Sequence, residues 1–181
     1  MQLNKPRYII AHTAAFTPEV DIAEIDRWHR ERGFTRLPYW RDQHNPELTS
    51  FGYHYLIQQD GVTASGRHED EPGSHCRNGS MNRQSIGVCF TGHGDQSDFT
   101  PEQYDAFFTL AASIRRRYPE VARLGSAALL GHREVRGVTK TCPGLMVDME
   151  AFRRMYGLRI VADGMGMVDV LGLRPMAVRA I

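Results

Sequence analysis

The sequence predicts an α/β fold, a sheet flanked by helices, and three observations carry that reading. Short apolar runs at Tyr8-Ile-Ile-Ala11, Ile86-Gly-Val-Cys-Phe-Thr91 and Ala127-Ala-Leu-Leu130 have the length of buried strands. Between the later two runs, Tyr104, Phe107, Phe108, Ala111, Ile114 and Tyr118 recur at helical spacing. Strands alternating with helices along the chain imply a sheet covered by helices. A length of 181 residues with 41% hydrophobic and 24% charged composition fits one soluble globular unit with a sizeable core.

The elements follow in order. The first strand ends at His12, so that imidazole sits at a strand terminus. After Thr17-Pro18, Ile22, Ile25, Trp28 and His29 mark an amphipathic helix over residues 21 to 32, halted by Gly33. Residues 33 to 51 contain Pro38, Pro46, aromatics and charges without a sustained period, which reads as a long loop and a candidate groove wall. Tyr53 to Gln58 is rich in strand formers, and Asp60-Gly61 before Val62-Thr-Ala-Ser65 signals a hairpin. Thr100-Pro-Glu-Gln103 is a capping box with proline at the first helical position, opening the helix described above. A further short helix is expected over Met146 to Tyr156. Residues 157 to 181 are broken by Gly164, Gly166, Gly172 and Pro175, too interrupted for the ~20 apolar residues of a membrane span. The expected organisation is a catalytic domain over 1–156 and a tail over 157–181 packed on it.

Charge is balanced, with 22 basic and 21 acidic residues, so nothing points to nucleic acid or to stable membrane association. The first apolar run is too brief for a secretory signal, so a cytoplasmic location is expected. Cys76, Cys89 and Cys142 are an odd number of thiols, which argues against a disulfide framework and leaves a thiol for a metal.

His12, His132 and Cys142 form the candidate metal set, in the settings Tyr8-Ile-Ile-Ala-His-Thr13, Gly131-His-Arg-Glu-Val135 and Lys140-Thr-Cys-Pro-Gly144. Two imidazoles and a thiolate favour zinc, and three protein ligands leave a tetrahedral position open for chemistry. A zinc ion lowers the pKa of water from about 15.7 to about 7 and polarises a carbonyl. Lys140, two residues before Cys142, would project to the same side in an extended segment and could stabilise an oxyanion. Tyr53, with an ordinary pKa near 10, suits a hydrogen-bond donor better than a base. His54 alternates away from Tyr53 and reads as structural, and Glu134 as a salt bridge or loop contact.

The ordered motifs, which add Gly52-Tyr-His-Tyr55, Gly73-Ser-His-Cys76 and Asn82-Arg-Gln-Ser-Ile-Gly-Val88, resemble the zinc-dependent N-acetylmuramoyl-L-alanine amidases. This is the amidase-2 group, which includes the phage T7 lysozyme-type endolysins and the peptidoglycan recognition proteins. The resemblance spans roughly residues 7 to 156 and is nearest to the phage type. It implies a mixed, mainly parallel sheet and a groove holding a peptidoglycan stem peptide with its muramyl sugar. It further implies hydrolysis of the amide between N-acetylmuramic acid and L-alanine, by an endolysin that reaches the wall after membrane permeabilisation. By the same resemblance His12, His132 and Cys142 match zinc ligands, Tyr53 and Lys140 match catalytic positions, and His75 matches a histidine lining the substrate groove. A non-hydrolytic peptidoglycan-binding module and a cytoplasmic muropeptide-recycling amidase are the alternatives; retention of Cys142 argues against the first. A regulatory protein partner is a further role that the phage-type resemblance raises and the sequence does not address. Cys89 stands where some bacterial members carry a glutamate, so no carboxylate base is assigned.

Overall fold

The computed structural model describes residues 3–16 and 20–165. A five-stranded sheet forms its centre, from β1 (Tyr8–Thr13), β2 (Tyr55–Ile57), β3 (Thr63–Ser65), β4 (Ser85–Phe90) and β5 (Leu129–Gly131). The spatial order is β3-β2-β4-β1-β5. β1 runs parallel to β4 and β5, β2 runs parallel to β4, and only the β2–β3 pair is antiparallel. The sheet is thus mixed and mainly parallel, as expected.

β4 is buried along its whole length because it lies at the centre of the sheet with both faces covered. Its Ile86, Val88 and Phe90 pack with Ile9 and Ala11 against α4 (Pro101–Arg117) and α6 (Met149–Met165), which contribute Phe107, Ile114, Phe152 and Tyr156. Each such large apolar side chain, fully buried, contributes about 1.5–3 kcal/mol. On the opposite face Leu56 and Cys89 meet Ile25 of α1 (Ile22–Glu31), together with Phe51 and Leu48. Period-two alternation therefore sends Ile9 and Ala11 to one helical layer, and Ile10 and His12 to the other side.

Helix starts follow their local chemistry. Asp21 caps α1 by accepting from the Glu24 N–H at 2.8 Å. Thr100 and Gln103 close the expected capping box of α4, with both reciprocal bonds at 3.1 Å. The Gln103 carboxamide goes further, donating to the carbonyls of Ile57 and Thr91 and so tying α4 to the ends of β2 and β4.

Several expectations need correction. The segment 33–51 contains a short helix, α2 (Pro38–Gln43), started by proline at its first turn. It is ordered by a buried charge cluster: Arg36 and Arg67 both bond Glu71, and Arg36 also donates to the carbonyls of His44, Asn45 and Leu48. Charge pairing of this kind leaves no apolar period, which is why the segment reads as loop. The strand expected from Tyr53 begins only at Tyr55, and the strand expected from Ala127 begins at Leu129 after a 3₁₀ turn over Gly125–Ala128. α3 (Gly79–Asn82) and α5 (Pro119–Leu124) are short additions. The last helix starts at Met149, not Met146, and continues past Tyr156 to Met165. Tail residues 166–181 lie outside the described residues. No helix among the described residues is long and apolar enough to cross a membrane.

Candidate metal centre and active site

The site forms beyond the carboxyl ends of the parallel strands, where αβ sheets offer a crevice. His12 comes from the penultimate position of β1, and His132 opens a 3₁₀ turn (His132–Glu134) directly after β5. Because β1 pairs with β5, the two imidazoles converge, with ring centroids 4.5 Å apart. Cys142 follows ten residues later in a turn whose Cys142–Pro143 peptide is cis. His12 Nδ1 lies 3.8 Å from Cys142 Sγ, and ligand atoms of His12, His132 and Cys142 all lie within 4.8 Å of one another. The three candidate ligands, separated by up to 130 residues in sequence, thus form one cluster.

The electrostatics suit a cation. Burial, then the neighbouring His75 and His132, holds His12 well below the ordinary histidine value of 6.5. Burial followed by the Lys140 charge lowers His132 to about 4. Both rings are therefore neutral at pH 7 and offer lone pairs, and His132 Nε2 is buried with no hydrogen-bond partner among the described residues. Burial pushes the Cys142 thiol up to about 11, opposed by a Thr13 backbone hydrogen bond and by Lys140. A divalent cation among the three supplies the positive charge that makes thiolate favourable. The donor set, two neutral imidazoles and a thiol, fits such an ion.

The Cys142 turn is held by two side chains that the sequence reading did not single out. Arg133 donates from its backbone N–H to the Cys142 carbonyl at 2.6 Å, and from its guanidinium to the carbonyls of Thr141, Gly144 and Val147. Asp95 accepts from the Thr141 hydroxyl at 2.9 Å and the Leu145 N–H at 2.7 Å. Gly144 has φ +133° and lies against Gly94; a Cβ there would meet the Gly94 backbone at 2.0 Å. The only local signal for Arg133 is its place beside His132.

Tyr53 stands half-buried next to His12, ring centroids 5.0 Å apart, on the segment entering β2. Burial, then Cys89 and Cys142, raises its phenol well above 10, so it keeps its proton. α1 positions this segment: Asp26 accepts from the Ser50 and Phe51 N–H groups, and His29 Nδ1 accepts from Gly52 N–H. Lys140 is exposed at a bend, so strand alternation does not set its direction, yet its charge acts on both His132 and Cys142. His75, which the resemblance matches to a groove-lining histidine, lies against His12. It is buried, with Nδ1 3.0 Å from His12 Nε2 and its ring against Gly73 and Gly87. His54 is structural as expected, accepting from Gly87 N–H and donating to the Glu71 carbonyl. Glu134 is likewise engaged, accepting from Gly131 N–H and pairing with Arg153 at 2.8 Å. Cys89 lies opposite His12 in the β1–β4 register and is fully buried.

A family profile described as N-acetylmuramoyl-L-alanine amidase matches residues 2–145. The endolysin of Escherichia phage T7 is 33% identical over 142 residues, covering 75% of this chain and 78% of that protein. The endolysin of Klebsiella phage KP32 is 32% identical with the same coverages. Among solved structures, N-acetylmuramoyl-L-alanine amidase LysC from Clostridium intestinale URNW shares the fold, with TM-score 0.67, 23% identity, and 86% and 89% of the two chains covered. Drosophila PGRP-LB also shares it, with TM-score 0.60, 24% identity, and 80% and 78% covered. With a profile match over most of its length and relatives above 30% identity, this chain belongs to the N-acetylmuramoyl-L-alanine amidase family and is an enzyme of that class.

Proposed function

We propose that the chain is a zinc-dependent endolysin that hydrolyses the amide joining N-acetylmuramic acid to L-alanine in peptidoglycan. The observation that carries this reading is the convergence of His12, His132 and Cys142 within 4.8 Å. These residues would hold the zinc, which when bound would supply Lewis acidity and activated water near neutral pH.

The chain's own groups do the rest. Tyr53, protonated at neutral pH, donates its Oη–H to the oxygen that becomes negative as water adds to the carbonyl. Lys140 Nζ, exposed at the rim, brings positive charge to the same oxyanion. Collapse breaks the C–N bond as both protons of the added water pass to the departing nitrogen, leaving a lactyl carboxylate and the ammonium of L-alanine. His12 and His132 stay neutral ligands throughout, and buried Cys89 offers no carboxylate for proton transfer. The catalytic unit is residues 1–156, with the remaining turns of α6 continuing from it. Synthesis in a host cytoplasm, and access to the wall once another protein opens the membrane, is the cellular setting suggested by relatives named endolysins.

Purified sacculi treated with the zinc-loaded protein should release free stem peptides, with activity lost on chelation and restored by zinc. Intact glycan–peptide linkages after treatment would sink the reading. Turnover of soluble anhydro-muropeptides with no action on sacculi would instead identify a recycling enzyme.

A further inference from the structure

His75 has no part in the chemistry assigned above, yet its imidazole is held on every side. The ring lies in a slot between two glycines: a Cβ on Gly87 would meet His75 Cδ2 at 2.6 Å, and one on Gly73 would meet it at 2.3 Å. Asn82 Oδ1 accepts from the N–H groups of both His75 and Cys76, while its amide donates to the Cys76 carbonyl at 2.7 Å. A ring so confined sits there to present its nitrogens.

The direction of each hydrogen bond can be read outward-in. Ser85 Oγ donates its single proton to the Met81 carbonyl at 2.6 Å. Toward His75 Nε2, 3.5 Å away at the outer limit of a hydrogen bond, it then presents only lone pairs, an arrangement that suits the His75 proton on Nε2. His75 Nδ1 is left as a lone pair, and the Cys76 thiol at 3.3 Å brings a donor to that same nitrogen. His12 Nε2 faces Nδ1 at 3.0 Å, and in that arrangement it is the donor. The other nitrogen, His12 Nδ1, then carries the lone pair, and it is the one facing Cys142.

We infer that His75 is a positioning residue: it fixes His12 as the Nε2–H tautomer and keeps the Nδ1 lone pair turned toward Cys142. The inference rests on the proposed ligand set. Partners of this kind fix the tautomer and orientation of metal-binding histidines, and losing one costs roughly 10- to 100-fold in metal affinity.

The test uses the full chain with ¹⁵N-labelled histidine, read by NMR before and after zinc, together with zinc affinity by chelator competition. The wild type should show His12 protonated at Nε2 and not at Nδ1 in both states. His75→Phe should weaken zinc binding roughly 10- to 100-fold. His75→Asn, whose Oδ1 can stand in for the accepting nitrogen, should recover much of that loss. Cys76→Ser should bind zinc almost as wild type. A metal-free wild type protonated at His12 Nδ1, or unchanged zinc affinity in His75→Phe, overturns the inference. So does a Cys76→Ser loss as large as that of His75→Phe, which would seat the ion among His12, His75 and Cys76. Should His75→Phe not fold, Ser85→Ala decides by whether His75 loses its single tautomer. If Cys142→Ser binds zinc as tightly as wild type, the ligand reading fails, while the metal-free tautomer still decides the relay.

Discussion

The two halves of the candidate metal centre are built by different means. His12 sits on β1, paired over six residues with β4 and over three with β5, so the sheet ladder fixes its backbone before any side chain acts. Cys142 sits in a turn with no ladder, and its place depends on Arg133, Asp95 and the Gly94–Gly144 approach. A ligand on a strand inherits its position from many cooperative backbone bonds. A ligand on a loop needs dedicated polar clamps, each a separate point of failure.

Substitutions can break this contrast, and the largest effect is expected at the loop ligand itself. Cys142→Ser should reduce hydrolysis of sacculi to background and lose zinc in metal analysis, while the melting temperature of the metal-free chain barely changes; retained turnover would remove Cys142 from the mechanism. Next come the two proposed oxyanion partners, one from each half. Lys140→Met should lower kcat about 10²–10³-fold with KM little altered, and Tyr53→Phe roughly 10²-fold. Equal losses in KM and kcat for either would point to substrate binding instead.

Arg133→Met sharpens the comparison most directly, because it removes the loop clamp without touching a ligand. Zinc affinity should fall roughly 10-fold. Global stability should drop by only about 1–3 kcal/mol, measured by urea unfolding of the metal-free chain. Hydrogen exchange should quicken in 141–147 and stay slow in β1. Uniform acceleration in both regions would show that the halves are not independent.

The mildest test is pH. His54, on the sheet side, is lowered from 6.5 to about 4 by burial, as is His29. The unfolded chain therefore binds more protons than the folded one between those values. Stability from these groups is complete above 6.5 and is lost as pH falls toward and through 4. Each should cost roughly 1 kcal/mol by one pH unit below its unfolded pKa. Thermal melting of the metal-free chain should fall steadily from pH 7 to pH 5; a flat profile would contradict neutral burial of these rings.

Much of this arrangement was legible from residue order. The apolar runs located β1, β4 and approximately β5, and the Thr100 box located the start of α4, because these signals are local and the structure leaves them local. The three candidate ligands could be named from their motifs, since a zinc site constrains residue type strongly. The contact of His75 with His12 was not legible, because nothing in Gly73-Ser-His-Cys76 says that Gly87, on another element, leaves a slot for its ring. The helix inside 33–51 was hidden because its surroundings are ordered by Arg36, Arg67 and Glu71, whose pairing spans 35 residues and has no period.

The sequence by itself determined the strand-and-helix order, the donor types and the amidase motifs, all of which depend on short-range pattern and side-chain chemistry. Only the tertiary structure decided which nitrogen of His12 meets Cys142, what clamps the Cys142 turn, and that His75 stands behind the site. Those outcomes depend on distances between residues far apart in the chain, and such distances exist only once the strands have paired.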